Sequence, residues 1–280
     1  MSTMIKMVRA LTAAAVIAVA APALAAGGHK PNIEQYQWSF AGPFGTYDRA
    51  QLQRGFKVYQ EVCQACHGMR LIAFRNLMEE GGPSFTEDQA KAIAADYIIV
   101  DGPDDYGDMF ERPAILADRF PSPFPNEQAA RAANNGAYPP DFSLIAKARA
   151  AHRGFPWFVF DIFTQYAELG PDYITSLLTG YVEPPEGKEV PEGQYYNDAF
   201  LAGEFISMAP PLSDELVEYT DGTPMTTEQY AKDLSAFFMW AAEPHMEARK
   251  QMGFRVMLFL VIFAGLLYFT KQAIWRDVKH

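Results

Sequence analysis

The sequence predicts a mainly α domain with long irregular loops, followed by one C-terminal transmembrane helix. Three observations predict it. Apolar residues recur at three- and four-residue intervals near both ends of the central region, as one buried face of a helix requires. Between those stripes, Gly102-Pro103, Pro121 to Pro125, Asn134-Asn135-Gly136, Pro139-Pro140, Pro184-Pro185 and Pro210-Pro211 mark turns and break up regular structure. Near the end, Val256 to Phe269 is an uninterrupted apolar run, long enough with its flanks to cross a bilayer.

The start of the chain reads as a signal peptide, residues 1–25. Lys6 and Arg9 form a positive region, Leu11 to Ala21 is apolar but short for a span, and Ala23-Leu24-Ala25 fits the small-x-small cleavage rule. Of the 23 Lys and Arg residues, Lys6 and Arg9 leave with it, which takes the formal charge from −11 to −13. So acidic a domain repels nucleic acid and suits basic partners. The exported domain occupies residues 26–243, a linker 244–251, the transmembrane helix 252–270 and a cytoplasmic tail 271–280. Met252 to Thr270 spans roughly 27 Å at about 1.5 Å per residue, and Arg255 near its edge can snorkel to the interface. Basic residues flank the run on both sides (Arg249, Lys250; Lys271, Arg276, Lys279), so the signal peptide rather than loop charge sets the orientation.

Within the domain, Leu52, Phe56, Tyr59, Val62, Cys63 and Cys66 share one helix face, with Gly68 as a stop. Thr226 and Gln229 make a capping box for the stripe Tyr230, Leu234, Phe237, Phe238 and Ala241, which Pro244 ends. The loops between are long for a domain with an ordinary core, and a large flat cofactor would supply the missing one. Phe155, Trp157, Phe158, Phe160, Phe163 and Tyr166 crowd a window too short to span a membrane, which suits core or subunit packing.

The chemistry sits in Cys63-Gln64-Ala65-Cys66-His67, the C-x-x-C-H pattern of covalent haem attachment. Two thiols three residues apart on one face can reach both vinyl groups as thioethers, and His67 follows as an axial ligand. These are the chain's two cysteines, so a zinc site lacks its second ligand pair. A thioredoxin-like redox pair would need a βαβ setting that the pattern does not show. A Met opposite His67 would give an electron carrier with a raised potential, whereas an open position would suit ligand binding or peroxidase chemistry. His29, His152, His245, Met109, Met208 and Met225 are all candidates on the residues alone. Met208 stands out because Pro210-Pro211 stiffens its loop.

Further segments stand around the haem motif: Arg54 to Tyr59 before it, then Asp101-Gly102-Pro103, Met109 to Pro113 and Ala129 to Gly136 with Pro139-Pro140-Asp141, and finally Leu177 to Tyr181, Met208 to Pro211 and Trp240 to Pro244. In these segments, and over nearly the whole chain after the leader, the sequence resembles the cytochrome c1 family, haem subunits of the cytochrome bc1 complex. The resemblance implies a cytochrome c-like fold with one covalently bound haem c, His67 and Met208 as its iron ligands, and Arg149 and Tyr173 beside a propionate. It places Asn134, Gly136 and Pro140 in the loop lining the haem. It implies a cytochrome b subunit and a Rieske iron–sulfur protein as stable partners, a c-type cytochrome as acceptor, and a dimeric complex. The signal peptide is bacterial in style, which points to a bacterial inner membrane with the haem domain on the periplasmic side. Gly154 to Gly170 is longer than in the mitochondrial relatives. Two acidic stretches suit docking of a basic acceptor: Asp101, Asp104, Asp105 and Asp108, and Glu183, Glu186, Glu189 and Glu192. A haem peroxidase and a free-standing anchored electron shuttle are the rival functions.

Overall fold

A computed structural model describes residues 31–150, 156, 159–160 and 169–277. The expected signal peptide, His29, His152 and most of the aromatic window around 155–166 lie outside the described residues.

Helix α1, Arg49–Glu61, starts where the Asp48 side chain accepts the Gln51 N–H, and it buries Leu52, Phe56, Val58 and Tyr59. Three further short helices follow: α2, Glu87–Ala95, α3, Glu127–Ala133, and α4, Ile145–Ala148. Helix α5 runs over Leu169–Thr179 and α6 over Thr227–Ala242. Two small antiparallel ribbons sit in the loops: β1, Ile98–Asp101, with β2, Phe110–Pro113, and β3, Tyr195–Tyr196, with β4, Phe205–Ile206. Irregular chain makes up much of the rest, as the turn residues dictate. Within α6, Thr226 caps as expected by accepting the Gln229 N–H, but the Gln229 side chain turns away to donate to Asp233 at 2.8 Å.

Helix α6 is the hub, packed by α1 on one side and α5 on another. The α1 crossing depends on Gly55, where a Cβ would lie 2.1 Å from the Asp233 carbonyl oxygen; the missing side chain lets the two backbones touch. Beside it, the fully buried Asp233 carboxylate accepts from Arg54 Nε at 2.8 Å and from the Tyr219 hydroxyl at 3.0 Å. The α5 contact includes a buried hydroxyl pair, with Thr175 Oγ1 donating to Ser235 Oγ at 2.8 Å. Phe56, Tyr59, Phe74, Phe120, Phe237, Phe238 and Trp240 fill the space between the elements.

The last helix, α7, Met246–Trp275, is long and apolar enough to cross a membrane. It begins six residues before the apolar segment, so the expected linker is helical from Met246 onward. Met246 and Lys250 are buried against the domain, whereas the side chains from Gln251 to Asp277 are exposed. Among the described residues the architecture is therefore mainly helical, with one C-terminal apolar helix.

Candidate haem-binding site

The α1 helix ends at Glu61, before the motif, and Cys63–Ala65 forms a turn of 3₁₀-helix instead of continuing the α-helix face. Both the Cys66 and the His67 N–H donate to the Cys63 carbonyl, at 3.1 and 3.0 Å, which tightens the turn. Residues i and i+3 eclipse in a 3₁₀ turn, so Cys63 and Cys66 still share a side. Neither thiol is in a disulfide; Cys63 is buried and Cys66 exposed. Burial pushes the Cys63 thiol up to about 12.

His67 is fixed by the segment that follows Pro139. Its Nδ1 lies 2.8 Å from the Pro140 carbonyl oxygen. A carbonyl only accepts, so Nδ1 carries the proton and Nε2 keeps its lone pair, the form that binds a metal. Burial lowers the His67 pKa against the opposing pull of that bond and of Asp141, so the ring is held neutral. The ring stacks on Phe142 with centroids 4.0 Å apart, and Phe142 packs in turn on Phe238 of α6 at 4.4 Å. Around this pair the two segments zip together. Phe142 N–H donates to Gly68 O at 2.8 Å, Arg70 N–H to Asp141 Oδ2 at 3.0 Å, and Leu71 N–H to Ser143 Oγ at 3.0 Å.

The same segment runs on through α4 to Arg149, its C-cap residue. Arg149 lies within electrostatic reach of the Tyr173 hydroxyl on α5. Burial raises the Tyr173 pKa, while a hydrogen bond from the Leu201 backbone and the Arg149 charge oppose the rise. Tyr181, just past α5, is a near neighbour of Tyr173, and its hydroxyl donates to the Met208 carbonyl at 3.1 Å. Met208 is half-buried, two residues beyond β4 and two before Pro210. Its rivals are engaged or exposed. Met225 Sδ accepts the Tyr219 N–H at 3.4 Å, Met109 is an exposed residue of the hairpin, and His245 is the exposed residue that precedes α7.

Asn134 and Gly136 form the C-terminal turn of α3. The Asn134 amide donates to Ala130 O at 2.7 Å, and the Gly136 N–H donates to Arg131 O at 2.8 Å with φ +86°, a conformation glycine adopts without strain. The sequence reading gave no role to Phe142 or to Tyr181. Phe142 follows the Pro139-Pro140 turn and Tyr181 follows the end of α5, and nothing in their spacing marks one as the cover of an imidazole and the other as a tether.

Two free thiols on one 3₁₀ turn, beside a neutral imidazole with Nδ1 committed and Nε2 available, form a donor set that fits a covalently held haem. The chain matches the Cytochrome C1 family over residues 38–278. It belongs to the cytochrome c1 family. Cytochrome c1 of Blastochloris viridis is 52% identical over 94% of this chain and 92% of its own length. Cytochrome c1 of Rhodospirillum rubrum is 46% identical over the full length of both. A Bradyrhizobium diazoefficiens protein called cytochrome b/c1 is 64% identical over 86% of this chain, which spans only 35% of that longer protein. Membership of the cytochrome c1 family implies haem binding.

Proposed function

We propose that this chain is the haem-bearing electron-transfer subunit of a bacterial cytochrome bc1 complex. It takes one electron from a Rieske iron–sulfur protein and passes it to a c-type cytochrome, and it makes and breaks no substrate bonds. The observation that carries the reading is His67, whose Nδ1 faces the Pro140 carbonyl at 2.8 Å directly behind a C-x-x-C pair with both thiols free. Cys63 and Cys66 hold one haem c as thioethers, and His67 and Met208 are its iron ligands. A bound haem supplies the one-electron Fe(III)/Fe(II) couple. Everything else is the work of the chain: Pro140 and Phe142 orient the imidazole, Tyr181 fixes the Met208 backbone, and Arg149 and Tyr173 present donors for a propionate. Asn134 and Gly136 shape a lining turn of the same site.

Helix α7 anchors the subunit in the bacterial inner membrane as a single pass, with the domain exported behind a signal peptide and the C-terminus cytoplasmic. Cytochrome b and the Rieske protein are its stable partners in a dimeric complex. The two acidic stretches guide a basic acceptor. Asp101 is paired with Arg112 at 2.5 Å, which leaves Asp104, Asp105, Asp108 and the exposed glutamates Glu183, Glu186, Glu189 and Glu192 as the steering charges.

Purification in mild detergent tests the assignment. The reading expects a low-spin, carbon monoxide-resistant haem that survives acid–organic extraction, with cytochrome b and Rieske peptides co-purifying. A small single subunit would instead show a free-standing shuttle, and a high-spin, ligand-binding iron would show an enzyme. Neutralising Asp104, Asp105 and Asp108 should flatten the fall of the acceptor reaction rate with salt, since exposed charges are screened within about 8–10 Å at physiological ionic strength; an unchanged slope would leave the glutamates as the docking stretch.

A further inference from the structure

Residues 41–46 form a tight loop between Phe40 and Tyr47, two aromatic side chains buried in the core. Both ends of the loop are fastened to the start of α7. Lys250 Nζ donates to the Phe40 carbonyl at 2.5 Å, and the Tyr47 N–H donates to Glu247 Oε1 at 2.7 Å. The loop closes on itself with Thr46 N–H on Ser39 O at 3.1 Å. Glycine is required twice. Gly42 has φ +74°, and at Gly45 a Cβ would lie 2.1 Å from the Ala41 carbonyl oxygen. The tip so formed presents Pro43 and Phe44 outward, and Phe44 is 74% exposed.

The Phe44 ring stands edge-on to Phe254, with centroids 5.6 Å apart. Phe254 belongs to the apolar run of α7, which begins at Met252. The loop tip therefore lies level with the first apolar turn of the helix, below the level at which Lys250 docks on the domain. The chain around it is suited to that depth. No charged residue occurs between Glu34 and Asp48, in a sequence with 34 Asp and Glu and 23 Lys and Arg. An exposed phenylalanine beside an apolar helix, on a rigid loop without charge, matches the headgroup–acyl boundary of a lipid bilayer and is poorly matched to water.

We propose that the 41–46 loop is a second membrane contact of this subunit, with Pro43 and Phe44 inserted into the bilayer interface beside α7. The proposal rests on the reading of α7 as a membrane anchor. It assigns a function to the Lys250 and Glu247 bonds. One transmembrane helix alone leaves its domain free to swing and rotate over the membrane. A second, laterally displaced contact, pinned to that helix at both ends, sets the domain's orientation and so the height of the candidate haem site above the bilayer.

The test is a nitroxide label at Phe44→Cys, with Pro43→Cys as a second site, in the full chain with haem attached. Cys63 and Cys66 are then blocked as thioethers. The protein is reconstituted in phosphatidylcholine–phosphatidylglycerol vesicles, and collisions with oxygen are compared with collisions with a water-soluble nickel chelate. Leu260→Cys in mid-helix and Tyr106→Cys on the β1–β2 loop, 92% exposed, are the bilayer and water references. The oxygen-to-nickel ratio at 43 and 44 is expected several-fold above that at 106 and nearer to that at 260. If 260 reads as bilayer and both loop labels read as water, the loop proposal falls while the anchor stands. If 260 itself reads as water, the anchor reading falls and the loop with it. Shielding of the loop labels from both reagents would mean that protein, not lipid, covers the tip, and would also overturn the proposal.

Discussion

His67 and Met208, the two candidate iron ligands, are held in opposite ways. His67 sits where the end of α1, residues 140–143 and α6 meet: a carbonyl bonds its Nδ1, Phe142 covers its face, and three backbone N–H groups donate across to the backbone and side chains that zip the two segments together. Met208 sits on an irregular stretch after a two-residue strand, half-buried, with one side-chain hydrogen bond to its carbonyl and two prolines just downstream. The first arrangement depends on the folded core; the second depends on a tether and on restricted backbone rotation. A ligand of the first kind stays in place unless the core fails. One of the second kind can be lost locally while the domain remains folded.

The largest effect comes from the side that the core holds. A Cys63→Ala/Cys66→Ala double variant removes both thioether positions, and haem surviving acid–organic extraction should fall to nothing. The fold should suffer less, because Cys63 contributes one small buried side chain and Cys66 is exposed. Extractable haem in a folded, dichroic chain is the expected result; a residual covalent fraction would show attachment through another residue.

The next effect tests the other side. Met208→Leu keeps volume and removes sulfur, so the domain should stay folded. The potential should drop on the order of 0.1–0.3 V, within the roughly 0.8 V span that axial ligation commands. Carbon monoxide should bind, and electron delivery from a Rieske centre should fail. A redox titration and a carbon monoxide difference spectrum check it. An unchanged potential would return the role to Met109, since Met225 has its sulfur on the Tyr219 N–H.

The same contrast explains what was legible in the sequence. The Cys63-to-His67 pentad is local, so its chemistry could be read from five consecutive residues. The α6 stripe and the first part of the α1 stripe, Leu52 to Tyr59, were legible because burial of one helix face imposes its period, but that period did not show that α1 stops at Glu61 and hands the motif to a 3₁₀ turn. Met208 lies about 140 residues from His67, and no period links them; the residues alone left several candidates open, and only the family resemblance chose. The Pro140 carbonyl is invisible to any side-chain pattern, although Pro140 itself was named. Helix α7 starts six residues before the apolar run for a related reason. Met246 and Lys250 are not part of the apolar run, yet tertiary contacts with Phe40 and Tyr47 hold that stretch helical.

A smaller effect should come from Phe142→Ala. The ring touches both His67 and Phe238 but is only half-buried, so the loss should be about 2–3 kcal/mol, below the roughly 3–5 kcal/mol of a fully buried phenylalanine. A domain of this size should then melt lower by roughly 2–4 °C per kcal/mol. If the core holds His67 as argued, stability should fall while the iron remains six-coordinate and the potential moves far less than in Met208→Leu. A large potential shift with little loss of stability would reverse the contrast between the two sides.

The smallest effect isolates the tether. Tyr181→Phe deletes only the hydroxyl that donates to Met208 O at 3.1 Å. A neutral hydrogen bond of this kind contributes about 0.5–1.5 kcal/mol. If that energy favours the ligated loop over a displaced one, the displaced population should rise by up to about tenfold, since 1.4 kcal/mol is one factor of ten. Carbon monoxide association, which needs the displaced form, should speed up by the same factor, while the static potential barely moves. The effect should not depend on pH near neutrality. Burial first, then the neighbouring Tyr173 and Tyr195, push the Tyr181 pKa above its ordinary value. A phenol with a raised pKa keeps its proton at every pH below that value, so the tether stays made from about pH 6 to about pH 9. The ratio of variant to parent rates should be flat over that range. A ratio of one would mean that Pro210 and Pro211 alone hold the loop; a ratio that falls toward one as pH rises would mean that the hydroxyl titrates and that its burial is incomplete.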